Sequence, residues 1–109
     1  FYRIEVDNTI DGSITFSAAS GNGSIASATL SWTAGATMES IVAQFTALNN
    51  TGAYITFGAL ADGKGVGLEI GGNGANTLTA TATTGCTVID CSGLAMLASA
   101  NEGIAVGDD

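Results

Sequence analysis

The spacing of hydrophobic residues predicts one helix. Apolar side chains recur every three or four residues at Met38, Ile41, Val42, Phe45 and Leu48, which places them on one helical face. Thr37 is a suitable N-cap, and Glu39 lies in the first turn, where the helix dipole favours a carboxylate. Asn49 and Asn50, followed by Gly52, end the pattern. We therefore predict a helix over residues 37-49.

Elsewhere apolar and polar residues alternate, which predicts short strands separated by turns rich in Gly, Asn and Asp. The predicted strands cover residues 2–6, 14–18, 26–32, 53–57, 66–70, 77–83 and 86–91. We expect the first two to pair as a hairpin over residues 1–18. Ala26 and the alternate residues up to Trp32 are expected on one face. Gly67 marks a bulge or a close approach of another backbone.

These elements predict a mainly β fold, an antiparallel β-sandwich with one amphipathic helix (about residues 37-49) packed on it. The length fits a single β-rich domain over residues 1-109. Because the chain begins with Phe1 and not Met, we expect a processed product or an excerpt of a longer chain. Leu94–Ala98 is either a helical turn or an edge strand, and residues 104–106 are a last strand.

Composition points to a thin core. Hydrophobic residues make up 46% of the chain, but many are Ala, and there are only one Trp, four Phe and two Tyr. Such a core is either small or completed by neighbouring subunits. The chain has no Pro, a residue that often protects sheet edges, and this fits edges that partners cover.

Charge excludes several classes of function. The net charge is −8, and Arg3 and Lys64 are the only basic residues. Binding to nucleic acid needs several cations to neutralise phosphates, and anionic lipid also attracts basic segments. No apolar run reaches the roughly 18 residues of a membrane span. We expect no nucleic-acid partner and no membrane insertion.

The sequence favours a protein that is not an enzyme and holds no cofactor. It has no His, which removes Ser–His and Cys–His nucleophile pairs and most zinc sites. A Ser–Lys pair could use only Lys64, in an exposed Gly turn. Carboxylates could pair as Asp7 with Asp11, or Asp62 with Glu69, but Asp is an ordinary turn residue.

One turn resembles the start of a calcium loop. Asp7, Thr9 and Asp11 occupy its first, third and fifth positions, and Gly12 its sixth. The bidentate Glu of the twelfth position is replaced by Ala18. A plain turn is the favoured interpretation, and a weak calcium site formed by Asp7, Thr9 and Asp11 is the alternative.

Two glycine-rich segments imitate nucleotide-binding loops. Residues 58–65 nearly spell a phosphate-binding loop, but Gly65 replaces the magnesium-binding Ser or Thr, and a strand-like sequence follows. Residues 71–74 lack the third glycine of a dinucleotide fingerprint. Neither predicts nucleotide binding.

Near the end, Cys86 and Cys91 lie five residues apart, which is about 16 Å along an extended strand and beyond disulfide reach. We expect free, mostly buried thiols; a disulfide would need a tight loop.

Asp90 is the carboxylate expected to be partly buried, as a strand-end or turn residue. Trp32 is expected in the core and less so in a sugar-stacking platform, whereas Tyr2 and Tyr54 are candidates for an exposed contact surface.

The segment from Thr29 to Thr79 has a distinct order of parts: a strand, a helix entry at Gly35-Ala36-Thr37, an Ala-rich helix, and strands around Gly74-Ala75-Asn76. This order resembles small modules of bacteriophage virion proteins, including tail and head-decoration components. Those modules usually have Asp where this chain has Ala36. The resemblance implies a structural or surface-display role without catalytic residues.

These observations favour a structural protein of a phage virion, such as a capsid decoration, head-fibre or tail component. It would be a homo-oligomer on a virion surface or in the extracellular space, with copies of itself and other virion or filament proteins as partners. An alternative is a secreted microbial filament or surface layer joined by exchange of the strand Phe1–Val6. A carbohydrate-binding module is a further alternative. The expected assembly contacts are Phe1, Tyr2, Ile4 and Tyr54.

Overall fold

The computed structural model describes residues 1–71 and 76–91. This part of the chain contains strands, one α-helix and a short 3-10 turn. In chain order they are β1 (Tyr2–Val6), β2 (Gly12–Ser20), β3 (Gly23–Trp32), α1 (Met38–Thr46), the 3-10 turn (Thr51–Ala53), β4 (Ile55–Ala59), β5 (Gly65–Ile70), β6 (Thr77–Thr84) and β7 (Cys86–Asp90). The predictions for Leu94–Ala98 and residues 104–106 lie outside the described residues.

The strands form two antiparallel sheets. Sheet A has the order β4-β5-β1-β7, and sheet B has the order β3-β2-β6. Their buried side chains belong to one common core, and α1 packs on β3, β4 and β5. The predicted mainly β fold, an antiparallel β-sandwich with one helix, is confirmed.

One bent ribbon joins the two sheets. In sheet A the β1–β7 ladder runs to the pair Val6↔Cys86, and in sheet B the β2–β6 ladder starts at Ser13↔Thr84. Both strands therefore pass from one sheet to the other at the same corner, where residues 7–11 lie opposite Gly85. Gly85 has a φ of 69°, a left-handed conformation that suits glycine.

The predicted hairpin over residues 1–18 is wrong. β1 pairs with β5 and β7, whereas β2 pairs with β3 and β6. The turn between them does not close a hairpin, because the Asp7 N–H donates to the Gly85 carbonyl at 2.9 Å and so ties the turn to the β6–β7 corner. Alternation identifies which side chains are buried but not which strand is the partner.

The core centres on three phenylalanines. Phe16 of β2, Phe45 of α1 and Phe57 of β4 have ring centroids between 5.6 and 6.0 Å apart. Each is buried, and burying one such side chain contributes about 1.5–3 kcal/mol. The surrounding aliphatic residues are Ile4, Ile14, Ile41, Ile55, Val66, Leu68 and Ile70. The cluster thereby fastens both sheets and the helix to one another.

Helix α1 confirms the predicted helix and its cap. The Thr37 Oγ1 accepts a hydrogen bond from the Ser40 N–H at 3.1 Å, and Glu39 lies in the first turn. Ile41 and Phe45 are buried, so the predicted apolar face is the one that contacts the core. The helix ends at Thr46, slightly before the predicted Asn49, because the final residues tighten into shorter turns such as Leu48 N–H to Phe45 O.

Two local irregularities change predicted faces. The β2–β3 register shifts between Phe16 and Ala18, so half-buried Ile25 pairs with Ala18, and Ala26 is exposed, contrary to prediction. Ala53, predicted to start a strand, belongs to the 3-10 turn, and the next residue, Tyr54, has a left-handed φ of 57°. The strand therefore begins only at Ile55.

Candidate assembly surfaces and polar sites

The turn with the calcium-like sequence fastens the connection between β3 and α1. The Asp11 Oδ1 accepts a hydrogen bond from the Ala34 N–H at 2.7 Å, and the Asn8 Nδ2 donates to the Ala36 carbonyl at 2.9 Å. The Asn8 carbonyl also accepts from the Gly35 N–H at 2.8 Å. The polar side chains of this turn therefore satisfy backbone groups directly before the helix.

The three candidate calcium ligands are used differently within this turn. Asp7 accepts hydrogen bonds from both the side chain and the backbone N–H of Thr9, which hold the pKa of the Asp7 carboxyl below its usual value. Asp11 instead accepts from Ala34. Within residues 1–71 and 76–91, no group of three or more His, Cys, Asp or Glu side chains is placed to hold a metal ion.

Arg3 joins β1 to the turn between β4 and β5. Its Nη2 donates to the Asp62 Oδ2 at 2.7 Å and to the Glu5 Oε2 at 3.0 Å, and its Nε donates to the same Glu5 oxygen at 3.1 Å. The Arg3 side chain is 10% exposed, whereas both carboxylates are about 40% exposed. Hydrogen bonds to both carboxylates thus hold the Arg3 side chain against the surface of the sheet.

Electrostatics at this cluster favour the charged forms. Burial alone would raise the pKa of Asp62, but hydrogen bonds from Arg3 and from the Lys64 N–H outweigh it and lower that pKa. Burial would also lower the pKa of Arg3, and its hydrogen bonds to Asp62 and Glu5 reverse the effect. The segment that resembles a phosphate loop is therefore a hairpin turn that binds Arg3, followed by strand β5.

The described surface includes two clefts that are wide open to solvent. The larger, of about 450 Å³, lies at the ribbon corner and is lined by residues that include Val6, Lys64 and Cys86. The smaller, of about 270 Å³, lies beside β4 and is lined by Tyr54, Thr56, Glu69, Ile70 and Gly71. Both are wide open to solvent, so neither encloses a small molecule.

The four residues predicted as assembly contacts differ in their exposure to solvent. Phe1 and Ile4 are buried within their own chain, at 1% and 0% exposure. Tyr2 is half-buried, and Tyr54 is 55% exposed. Strand β1 also lies between β5 and β7, inside sheet A. Of the four residues, Tyr54 therefore offers the largest free surface.

Trp32 packs in the core, as predicted. It is 6% exposed, and its indole ring lies directly over Gly12, where a Cβ atom would come within 2.3 Å of the Trp32 Nε1. Among the described residues, this Nε1 is the buried side-chain nitrogen without a hydrogen-bond partner. The tight contact explains why position 12 is glycine, a constraint that the sequence pattern could not reveal.

Both cysteines are free thiols, as predicted. Cys86 is half-buried, and Cys91 is buried. The Cys86 Sγ donates to the Ser13 carbonyl at 3.6 Å across the ribbon corner, and burial raises the pKa of this thiol. Asp90, expected to be partly buried, is exposed at the end of β7; the expectation of a buried carboxylate is wrong because its side chain lies outside the core.

Residues that follow α1 cover the outer edge of β4. The Asn49 Oδ1 accepts from the Phe57 N–H at 2.6 Å, and the Asn49 Nδ2 donates to the Phe57 carbonyl at 3.3 Å. Asn50 exchanges two backbone hydrogen bonds with Ile55, at 2.9 and 3.0 Å. A side-chain amide and a peptide group thus occupy the place of a neighbouring strand.

Helix α1 and the 3-10 turn also contact the edge of β3, on the same side of the sandwich as the covered edge of β4. The Gln44 Nε2 of α1 donates to the Ser31 carbonyl at 2.9 Å. At the other end of β3, a Cβ at Gly23 would lie 3.0 Å from the Ala53 Cβ, so the 3-10 turn approaches there. The helical segment therefore closes one long side of the sandwich, from β3 to β4.

The opposite side of the sandwich has no such cover among the described residues. There β6 pairs only with β2, and β7 pairs only with β1. All of β6 is exposed except Leu78, which is half-buried. The sequence pattern does not distinguish one edge from another, whereas the described residues cover one side of the sandwich and leave the other side open.

Sheet B carries no charge. No residue of β2, β3 or β6 is ionisable, and neither is any residue of the turn between β2 and β3. The chain as a whole nevertheless has a net charge of −8. The outer face of sheet B presents rows of small residues in register. One row is Ser31, Ser13 and Thr84, and the next is Thr29, Thr15 and Ala82. The result is an uncharged surface of hydroxyl and methyl groups.

No protein-family model, curated protein or solved structure matches this chain. Among the described residues, no helix has both the length and the apolar character required to cross a membrane.

Proposed function

We propose that this chain is a non-enzymatic structural module that acts by associating with copies of itself. The observation that carries the proposal is the uncharged sheet B in a strongly acidic chain. Copies with a net charge of −8 repel one another, and two unit charges 4 Å apart in water still interact by about 1 kcal/mol. Contact through sheet B brings no like charges together.

The shape of this surface supports the same proposal. Small residues in aligned rows leave few protruding side chains, and the Thr15 and Thr29 hydroxyls lie 3.0 Å apart across neighbouring strands. Such a surface can approach another sheet or strand closely. The two clefts, by contrast, are open and do not enclose a ligand. The geometry of this chain therefore suits contact with another protein better than binding of a small molecule.

A phage virion is the setting that we propose for this assembly, as a capsid-decoration, head-fibre or tail component. The support is the resemblance of the segment from Thr29 to Thr79 to virion modules. A donated β1 fits the fold less well, because β1 would have to leave both β5 and β7 in the middle of sheet A. Purified particles from the source should contain the chain in stoichiometric amount; its absence from them would contradict this setting.

Light scattering over a range of protein and salt concentrations tests self-association. We expect a defined oligomer, which added salt strengthens because salt screens the repulsion between acidic copies. Thr79→Glu, on sheet B, should weaken the oligomer, whereas Thr56→Glu, on an exposed position of sheet A, should not. A monomer under all conditions, or equal effects of the two variants, would overturn the proposal.

A further inference from the structure

Strand β6 has the properties of a strand that pairs with another chain. It is the last strand of sheet B in the described part of the protein, and an edge strand directs alternate N–H and C=O groups outwards. It runs for eight residues, Thr77–Thr84, and threonine favours extended backbone. The strand therefore presents a row of hydrogen-bonding groups, which one irregularity near Thr81 interrupts.

Polar groups that cover an edge are found elsewhere in the described part of the chain, whereas β6 itself has only one bulge. Gln44, Asn49 and Asn50 occupy backbone groups of β3 and β4 on the closed side. Strand β6 has neither a charged residue nor Pro. Its one irregularity, near Thr81, is fixed to β2, since the Thr81 Oγ1 donates to the Thr15 carbonyl at 3.3 Å. The residues that the structure describes thus protect the edges of β3 and β4 and leave the edge of β6 uncovered.

We infer that β6 pairs antiparallel with β6 of a second copy about a two-fold axis, which extends sheet B into a continuous sheet of twice its three strands. This inference rests on the proposed self-association and names its contact. Because sheet B has no charged side chains, pairing two copies through β6 places no like charges of this sheet against each other. For this reason we choose a second copy of this acidic chain as the partner.

The sequence of β6 also suits pairing with itself. Threonine occupies positions 77, 79, 81 and 83, and smaller or apolar residues occupy positions 78, 80 and 82. In an antiparallel pair centred on Leu78, Thr77 lies opposite Thr79 of the second copy, and both lie on the outer face, where their partners in β2 are Ala19 and Ser17. Threonine pairs directly across strands can exchange hydrogen bonds and are favourable.

The same substitution on two strands of sheet B distinguishes pairing at the edge from stacking of faces. Thr79 of β6 and Thr29 of β3 are both exposed on the outer face. With edge pairing, Thr79→Glu should raise the dimer dissociation constant by roughly tenfold, since symmetry places the added charge in the contact twice, and Thr29→Glu should leave it nearly unchanged. Analytical ultracentrifugation gives both constants, and circular dichroism checks that each variant is folded.

Hydrogen exchange of the wild-type chain supplies a second measurement that needs no variant. Edge pairing predicts that β6 amides become protected as protein concentration rises, while the exchange of β3 amides stays constant. An oligomer that both variants weaken, or that neither weakens, overturns the inference but leaves self-association standing. A wild-type chain that stays monomeric overturns both. Protection of β6 in a monomer would mean that its own chain covers this edge, and would also overturn the inference.

Discussion

The side-chain amide of Asn49 forms two hydrogen bonds with the backbone of Phe57. Its Oδ1 accepts from the Phe57 N–H at 2.6 Å, and its Nδ2 donates to the Phe57 carbonyl at 3.3 Å. Because the Phe57 side chain points into the aromatic core, this contact fixes the edge of β4 at the level of that core. A residue just beyond the helix thereby completes the hydrogen bonding of a strand.

Replacing Asn49 should therefore destabilise the fold. We expect Asn49→Ala to lower the free energy of unfolding by about 1–2 kcal/mol, since two hydrogen bonds to the β4 edge are lost and water replaces them only in part. Asn49→Asp keeps the acceptor but sets a carboxylate against the Phe57 carbonyl, and should be at least as harmful. Urea denaturation measures both. Thr56→Ser, a small exposed change on the same strand, should have little effect, and an equal loss there would contradict the assignment.

The contact between Arg3 and Asp62 should appear in the acid stability of the protein. The pKa of Asp62 is lowered in the folded chain, so its carboxylate stabilises the fold above the unfolded pKa, and this contribution disappears as the pH falls through the folded pKa. Because Asp62 is 42% exposed, the effect is discounted for screening by solvent. Arg3→Met should raise the pKa of Asp62 towards its ordinary value, measured by carbon NMR titration of the carboxyl. An unchanged titration of Asp62 in Arg3→Met would show that Arg3 is not the cause.

The close packing of Trp32 on Gly12 should make position 12 intolerant of any side chain. A Cβ there would lie 2.3 Å from the Trp32 Nε1, so Gly12→Ala should cost about 1–3 kcal/mol or more through overpacking. Gly52→Ala is the matched control, because its Cβ would meet nothing closer than the Asn50 Oδ1 at 3.5 Å. Thermal unfolding compares the two variants. Adding Trp32→Leu to Gly12→Ala should recover part of the loss, and purely additive effects would argue against this contact.

The turn at residues 7–11 should behave as a clamp and not as a metal site. Asp11→Ala should destabilise the fold by about 1 kcal/mol, since the Ala34 N–H loses its acceptor, whereas Asp11→Asn retains an acceptor and should cost less. Calcium should leave the unfolding midpoint of the wild-type chain unchanged. A midpoint that calcium raises in the wild type but not in Asp11→Asn would instead establish the calcium site.

The local pattern of the sequence was sufficient for the fold class, the helix with its Thr37 cap, and the burial of Trp32. Each depends on neighbours close in sequence or on simple hydrophobicity. The partner of β1 was not predictable in this way, because Val6 alternates in the same manner whether its strand forms a hairpin or crosses to another sheet. The shift that exposes Ala26 needs the β2 register, which no alternation within β3 records.

The candidate surface was less predictable than the fold. We expected contacts at Phe1 and Ile4 because they belong to Phe1–Val6, the strand considered for exchange between copies, but large apolar residues are also the ones that a small core buries. The absence of charge in β6 could be read from the sequence. Its place at an open edge could not, because it depends on which strands Asn49 and Gln44 cover after folding.

The pairing of β1 with β7 gives the domain a direction of mechanical weakness. Phe1 and Cys91 are neighbours, joined by a hydrogen bond of 2.9 Å from the Cys91 N–H to the Phe1 carbonyl, and they precede β1 and follow β7. Tension applied through these two residues would pull apart the ends of an antiparallel pair, so its hydrogen bonds would break one after another. Tension along β6 would load its bonds to β2 together. A module built in this way resists forces along an extended sheet better than forces applied at Phe1 and Cys91.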